Sequence, residues 1–306
     1  MNKLHSIAFP QVFLLCGLLG FVSQSVAATP ALNLAAISSV AGTKATATPD
    51  GVVHLTWVRK DVTVEVDGAP LDPAAGLGSW AAFLPTPHGT MVMGDTVVFQ
   101  DEVDAAMDAA FAHGLEVTAL HNHFFFDQPR VFFMHIGGYG DATILAASVK
   151  AVWDAIKSVR AKNPIPVGEF AGPVPQPGKL NAKALTEIIG YPVQAAGHVL
   201  KVTVGHQGRM HGIVVPPSMG LTTWAAFSGS DAAAAIDGDF IMTAADITPV
   251  LKTLRAHGIH IVALHNHMIS GEPFYFFTHY WGKGSAQDLA RALRAALDAE
   301  ATANVR

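Results

Sequence analysis

The chain has 306 residues, half of them apolar and 14% charged, with 24 acidic against 19 basic side chains and a net charge of −5. Neither sign forms a run, so the basic stripe that nucleic acid or an anionic membrane surface requires is missing. A single cysteine, Cys16, leaves no partner for a disulfide.

Lys3 and His5 precede an apolar run, Val12–Val22, and small residues follow, with Ser25 and Ala27 satisfying the A-x-A-like rule. Residues 1–28 are therefore expected to be a secretory signal peptide, cleaved after Ala27 or Ala28. Their apolar core is too short to span a bilayer. Cys16 lies inside this segment, so the remainder would carry no thiolate ligand, no cysteine nucleophile and no disulfide. No later stretch reads as a membrane span. The expectation is a soluble protein of the bacterial periplasm or exterior.

A first module is expected over 29–161. Val52–Val58 and Val62–Val66 alternate apolar and polar residues and predict strands; Gly89–Phe99 predicts a further pair or one bent strand. Asp101–Gly114 puts Val103, Met107, Ala110 and Phe111 on one face of a helix that Gly114 ends. A strand, Leu115–His123, follows. After a loop with Asp127 and Pro129 comes a strand through Arg130–Ile136. A second helix carries Leu145, Val149, Val152 and Ile156 at helical spacing. Residues 162–178 hold five prolines and no period, and predict a linker.

A second module is expected over 179–306. Gly258 ends its first helix, whose start Pro249 obscures. Its last helix opens on Ser285 and Asp288 in capping-box spacing and continues with Leu289, Leu293 and Leu297. The two modules are copies. "ALHNH" stands at Ala119–His123 and again at Ala263–His267, and His113–Gly140 aligns without a gap on His257–Gly284 with 13 of 28 positions identical. Gly76–Phe83 matches Gly220–Phe227, and Gly94-Asp95 matches Gly238-Asp239, at the same offset of 144. The predicted fold is α+β: two tandem duplicated modules, each a mixed or antiparallel sheet with two main helices and a histidine-bearing β-hairpin.

In each copy the pattern is H-N-H followed by a third histidine. Residues two apart in a strand share a face, so His121 and His123 point one way and Asn122 the other. A hairpin centred on Gln128 would set His135 opposite His121 and Phe133 opposite His123, bringing three imidazoles together. His265, His267 and His279 repeat the arrangement, with Phe277 for Phe133 and Asn266 for Asn122. Three nitrogen ligands with an open position suit a divalent metal, zinc first, with copper, nickel, iron or manganese compatible. A lone strand histidine is more often structural, but a set of three kept whole in both copies points to metal.

Asp95 and Asp239 each follow a glycine on a strand-like run. They are candidates for a fourth ligand, for a partner orienting an imidazole, or for a catalytic general base on metal-bound water. Their bland alternative is a turn aspartate. Glu102 and Asp246 sit where helices begin and read as caps, His113 and His257 as helix C-terminal residues. Trp80 and Trp224 read as core or pocket wall. His54, His88, His198, His206, His211 and His260 have no counterpart in the other copy and receive no role.

With "HGLEVTALHNH", the downstream P-x-x-F-F-x-H and G-x-G-D on the page, the chain resembles the LppY/LpqO family of secreted proteins and lipoproteins. The resemblance covers nearly all of the sequence after the leader and implies an exported two-copy protein; it implies no reaction. Lipidation at Cys16 is not expected, because "FLL" precedes it where a lipobox has a small residue. The leading expectation is a secreted, metal-dependent hydrolase in which metal-bound water attacks an electrophile with aspartate assistance. A non-catalytic periplasmic metal-binding or delivery protein is the second reading. A metal-free module for a small-molecule or cell-envelope ligand is the third. Aromatics around the histidines (Phe124, Phe125, Phe126, Phe274, Phe276) suggest a walled pocket.

Overall fold

Period-two alternation becomes sheet here because each strand buries one face. In the computed structural model, which describes residues 31–303, Val53 and Leu55 turn inward and His54 and Thr56 outward along one strand. The expected signal peptide, with Cys16, Ala27 and Ala28, lies outside the described residues. The first copy runs α1 (Leu34–Ala41), β1 (Thr46–Ala47), β2 (Val53–Val58), β3 (Glu65–Val66), β4 (Ala69–Pro70), α2 (Pro73–Gly76) and β5 (Gly78–Thr86). It continues with β6 (Gly89–Phe99), α3 (Val103–Ala112), β7 (Glu116–His121), β8 (Asp127–Gln128), β9 (Val131–Gly140) and α4 (Ala142–Lys162). The second copy runs α5 (Ala182–Ile189), β10 (Val193–Ala196), β11 (Val199–Gly205), β12 (Gly208–Met210), β13 (Ile213–Val215) and β14 (Thr222–Gly229). It closes with β15 (Ala234–Met242), α6 (Ala244–Ala256), β16 (His260–His265), β17 (Phe276–Gly284) and α7 (Ala286–Ala303).

The architecture is α+β, as the repeat and the periods predict, with Gly89–Phe99 as a single long strand. Helices α1 and α5 escape the period analysis because each has only eight residues. Their signal is in the caps. Asn33 accepts from the Ala36 amide, Asn181 from the Ala184 amide, and Gly42 and Gly190 close the helices at φ +65° and +78°. The predicted strand Val62–Val66 shrinks to Glu65–Val66, and Val62 and Val64 instead pack against a small cluster with Phe99 and Phe133. Pro249 sits inside α6 without ending it. Among the described residues no helix is long and apolar enough to cross a membrane.

Twelve strands form one antiparallel sheet in the order β1-β2-β5-β6-β9-β7-β16-β17-β15-β14-β11-β10. The order reads as one copy followed by the mirror of the other, meeting where Leu120 of β7 pairs with Leu264 of β16. One face of the sheet carries the helices, and a single apolar cluster runs through both copies beneath them, with Leu120 and Leu264 inside it. Each such leucine contributes about 1.5–3 kcal/mol by burial. Arg255 of α6 adds a polar tie, pairing with Asp104 at 2.9 Å and Asp108 at 3.0 Å on α3 of the first copy. The proline-rich stretch after α4 has no helix or strand. Its Phe170 ring stacks on His260 at 3.5 Å, and the Phe170 carbonyl accepts from Lys283 Nζ at 2.7 Å.

A β-bulge precedes the histidines in both copies. The pairing with the neighbouring strand shifts between Val117 and Ala119, and again between Ile261 and Ala263. The extra residues, Thr118 and Val262, are exposed. Val117 and Leu120 both face the core as a result, and Ala119 and His121 both face away from it. Without the bulge, Val117 would drag His121 onto the helix side.

Candidate functional site

The face opposite the long helices carries the sequence-predicted residues in rows that cross the strands. Trp80 on β5 opposes Asp95 on β6, Asp95 opposes His135 on β9, and His135 opposes Ala119 on β7. Trp224, Asp239, His279 and Ala263 form the same row in the second copy. The expected hairpin register is corrected by two residues: His121 pairs with Phe133, and His265 with Phe277. Asp127 pulls the turn one residue back by accepting from the Val131 amide at 2.6 Å, and β8 is held by its pairing with β3. A slip of two keeps the parity, so all three histidines still share a face.

His123 and His267 lie just past their strands, and each is fixed by stacking. The His123 ring lies 3.3 Å from Phe133 and the His267 ring 3.5 Å from Phe277, nearly parallel in both cases. Phe277 is fully buried and Phe133 nearly so, which makes them rigid platforms. His121 has both His123 and His135 at 5.1 Å between ring centres. His265 has His267 at 5.0 Å and His279 at 4.9 Å. In the second set one ligand atom from each histidine lies within 4.8 Å of the others, and among the described residues it is the one cluster this tight. Asn122 and Asn266 turn away, donating to the Phe124 and Met268 carbonyls.

The aspartates are set deeper than the imidazoles. Asp95 is 7% and Asp239 4% exposed. Asp239 lies 3.5 Å from His267 Nε2 and 3.9 Å from His279 Nδ1, and Asp95 lies 3.9 Å from His135 Nε2. Burial pushes both carboxyls above the ordinary carboxylate range, against the pull of the neighbouring histidines. Burial likewise holds His123, His265 and His267 below the usual imidazole value, and adjacent histidines press His265 lower still. Asp95 Oδ1, Asp239 Oδ1 and His265 Nδ1 are buried without a hydrogen-bond partner in the protein. An imidazole offers one ring-nitrogen lone pair to a cation, and each aspartate here adds an oxygen that no protein group engages.

Other sequence readings divide. Asp246 caps α6 in a capping box with Thr243, as its position suggests. Glu102 is the N-cap residue of α3 but makes no side-chain bond to the first turn: fully buried, it accepts from the Phe99 amide at 2.8 Å and from Arg59 at 2.8 and 2.9 Å, and pairs with Arg160 at 2.6 Å. That cluster was not legible, because its members are far apart in sequence and the second copy puts His206 in the equivalent place of Arg59. The walled pocket is also corrected. Phe125 and Phe126 are 80% and 79% exposed, and the side chains of His135, His267 and His279 are about a third to a half exposed at 33%, 36% and 45%. A cavity of about 620 Å³ beside the seam is lined by Asn122, Phe124, Phe132 and Val262 among others, and by none of the six histidines.

The family described as DUF1529, Domain of Unknown Function (DUF1259), matches residues 35–155 and again 183–299. The chain belongs to this DUF1529 family. Both matched stretches contain a full set of three histidines and one aspartate. No curated protein matches the chain. Among solved structures, similarity is found to a trimeric bacterial microcompartment shell protein PduB, 10% identical over 83% of this chain and 89% of that one, with a TM-score of 0.22. EtuB from Clostridium kluyveri is 12% identical over 84% and 90%, with a TM-score of 0.20. A double-ringed trimeric shell protein of the RMM microcompartment is 13% identical over 81% and 97%, with a TM-score of 0.18.

Two expectations are corrected here. The zinc-dependent hydrolase and the secreted or periplasmic location are not carried further: the solved structures found are shell proteins, and no comparison finds a hydrolase or an exported protein. At TM-scores of 0.18 to 0.22 the likeness gives this DUF1529 chain no role of its own.

Proposed function

We propose that the chain binds divalent transition-metal cations on the sheet face opposite its long helices, at His265, His267 and His279 with Asp239, and more weakly at His121, His123 and His135 with Asp95. The observation that carries this reading is the second set: three imidazoles whose ligand atoms cluster within 4.8 Å, beside a buried carboxylate with an unpartnered oxygen. Three neutral nitrogens and one oxygen suit the later first-row divalent ions and disfavour calcium or magnesium, which prefer all-oxygen shells. Metal–nitrogen bonds of about 2.0–2.1 Å require the rings to rotate inward. Their partial exposure leaves room for that. A cation would also relieve Asp239, whose negative charge burial disfavours.

Calorimetric titration of chelator-treated protein with nickel tests the reading. Two binding events per chain are expected, the tighter lost in His265→Ala and the weaker in His121→Ala. Heat no larger than that of a buffer blank, for nickel and for cobalt alike, overturns it.

A further inference from the structure

The seam between the two copies places the two histidine sets side by side. Leu120 pairs with Leu264. Continued one residue each way, that antiparallel register sets Ala119 beside His265 and His121 beside Ala263. Both flanking residues point away from the core that holds the two leucines. Two rows therefore cross the seam on one face: His135, Ala119, His265 and, next to it, His121, Ala263, His279. In each row a histidine of one copy and a histidine of the other are separated by a single alanine.

We propose that the two sets act as one paired site, holding two cations across the seam and joining them through one elongated dianionic ligand, of the dicarboxylate class, laid over Ala119 and Ala263. The proposal rests on the cation reading. Three physical arguments support it. One set is centred between β9 and β7 and the other between β16 and β17, two strand spacings or about 10 Å apart, too far for a single bridging oxygen between ions ~3.5–4 Å apart. With about 2 Å of metal–ligand bond at each end, the donor atoms of a joining ligand need to lie roughly 6 Å apart, the reach of a short linear dicarboxylate. The middle of the path is floored by the methyl groups of Ala119 and Ala263, which admit an aliphatic chain, and flanked by His121 and His265, which the cations engage. Charge agrees as well: two divalent cations against Asp95 and Asp239 leave two positive charges, since the six imidazoles are neutral ligands.

The test uses the full chain loaded with nickel, titrated calorimetrically with succinate and, in parallel, with acetate. The expected result is one succinate per chain, bound at least tenfold more tightly than acetate. Ala119→Leu and Ala263→Leu, which raise a bulky side chain between the cations on an outward-facing strand position, should each weaken succinate at least tenfold while both nickel ions remain. Equal affinity for succinate and acetate, or succinate binding unchanged in both leucine variants, overturns the pairing while leaving the cation reading intact. Failure to load nickel overturns the cation reading and the pairing together.

Discussion

Asp239 concentrates the energetics of the site in one carboxyl group. A carboxyl whose folded pKa is raised is favoured protonated by the fold. Its charge therefore costs stability, and the cost grows as pH climbs from the ordinary carboxylate range toward the raised value. Asp239→Asn should thus leave the metal-free protein at least as stable at neutral pH, by urea denaturation, yet weaken nickel by ~10–100-fold. Loss of both stability and affinity would mean that the aspartate is structural. Protons compete for the imidazoles with the opposite sign. Because burial holds His265 and His267 below the usual value, they stay neutral to lower pH. Acid titration of the nickel-loaded chain should release metal only below pH ~6.5, followed with a colorimetric chelator; a midpoint near pH ~8 would contradict this account. The histidines themselves were legible from the repeat, since alternation plus a third partner predicts their shared face. The stacking of His123 on Phe133 was not, because it depends on backbone past the end of a strand.

At the scale of elements, the bulge decides which residues reach the site. Nothing in "EVTALHNH" marks Thr118 as the extra residue: an unbroken period-two reading of Val117 through His121 puts the histidine on the core side, and only the pairing with β9 shows the switch. The helices were read from apolar spacing and glycine stops. Gly114 and Gly258 take φ of +75° and +74°, and the C-caps His113 and His257 directly precede them. Positions 102 and 246 share one bond, to the Phe99 and Thr243 amides, and differ in their other partners. Glu102→Ala removes one of the two carboxylate partners of each buried guanidinium, Arg59 and Arg160, which keep Asp61 and Asp101, and should cost ~1.5–3 kcal/mol. Asp246→Ala removes one half of a capping box and should cost about 1 kcal/mol. Chemical denaturation of the two variants checks the contrast, and equal losses would show that the sequence equivalence outweighs the different contacts.

At the scale of the molecule, duplication predicts two modules, but the sheet and its apolar cluster continue from one into the other. Sequence could not reveal this, because the Leu120–Leu264 pairing joins residues 144 apart whose neighbours look like any other buried strand. Unfolding should therefore be one cooperative transition. Leu120→Ala and Leu264→Ala should each destabilise the whole chain by ~2–5 kcal/mol. Two separated transitions in the unaltered chain, by circular dichroism and tryptophan fluorescence together, would contradict a shared core. The central claim, cation binding by the histidine sets, is tested most directly by native mass spectrometry of cobalt-loaded protein. Two cobalt ions per chain are predicted for the unaltered protein and for Asn266→Ala, whose side chain turns away from the site, and one for His279→Ala. Cobalt retained equally by His279→Ala and the unaltered chain, or retained by neither, would contradict the account.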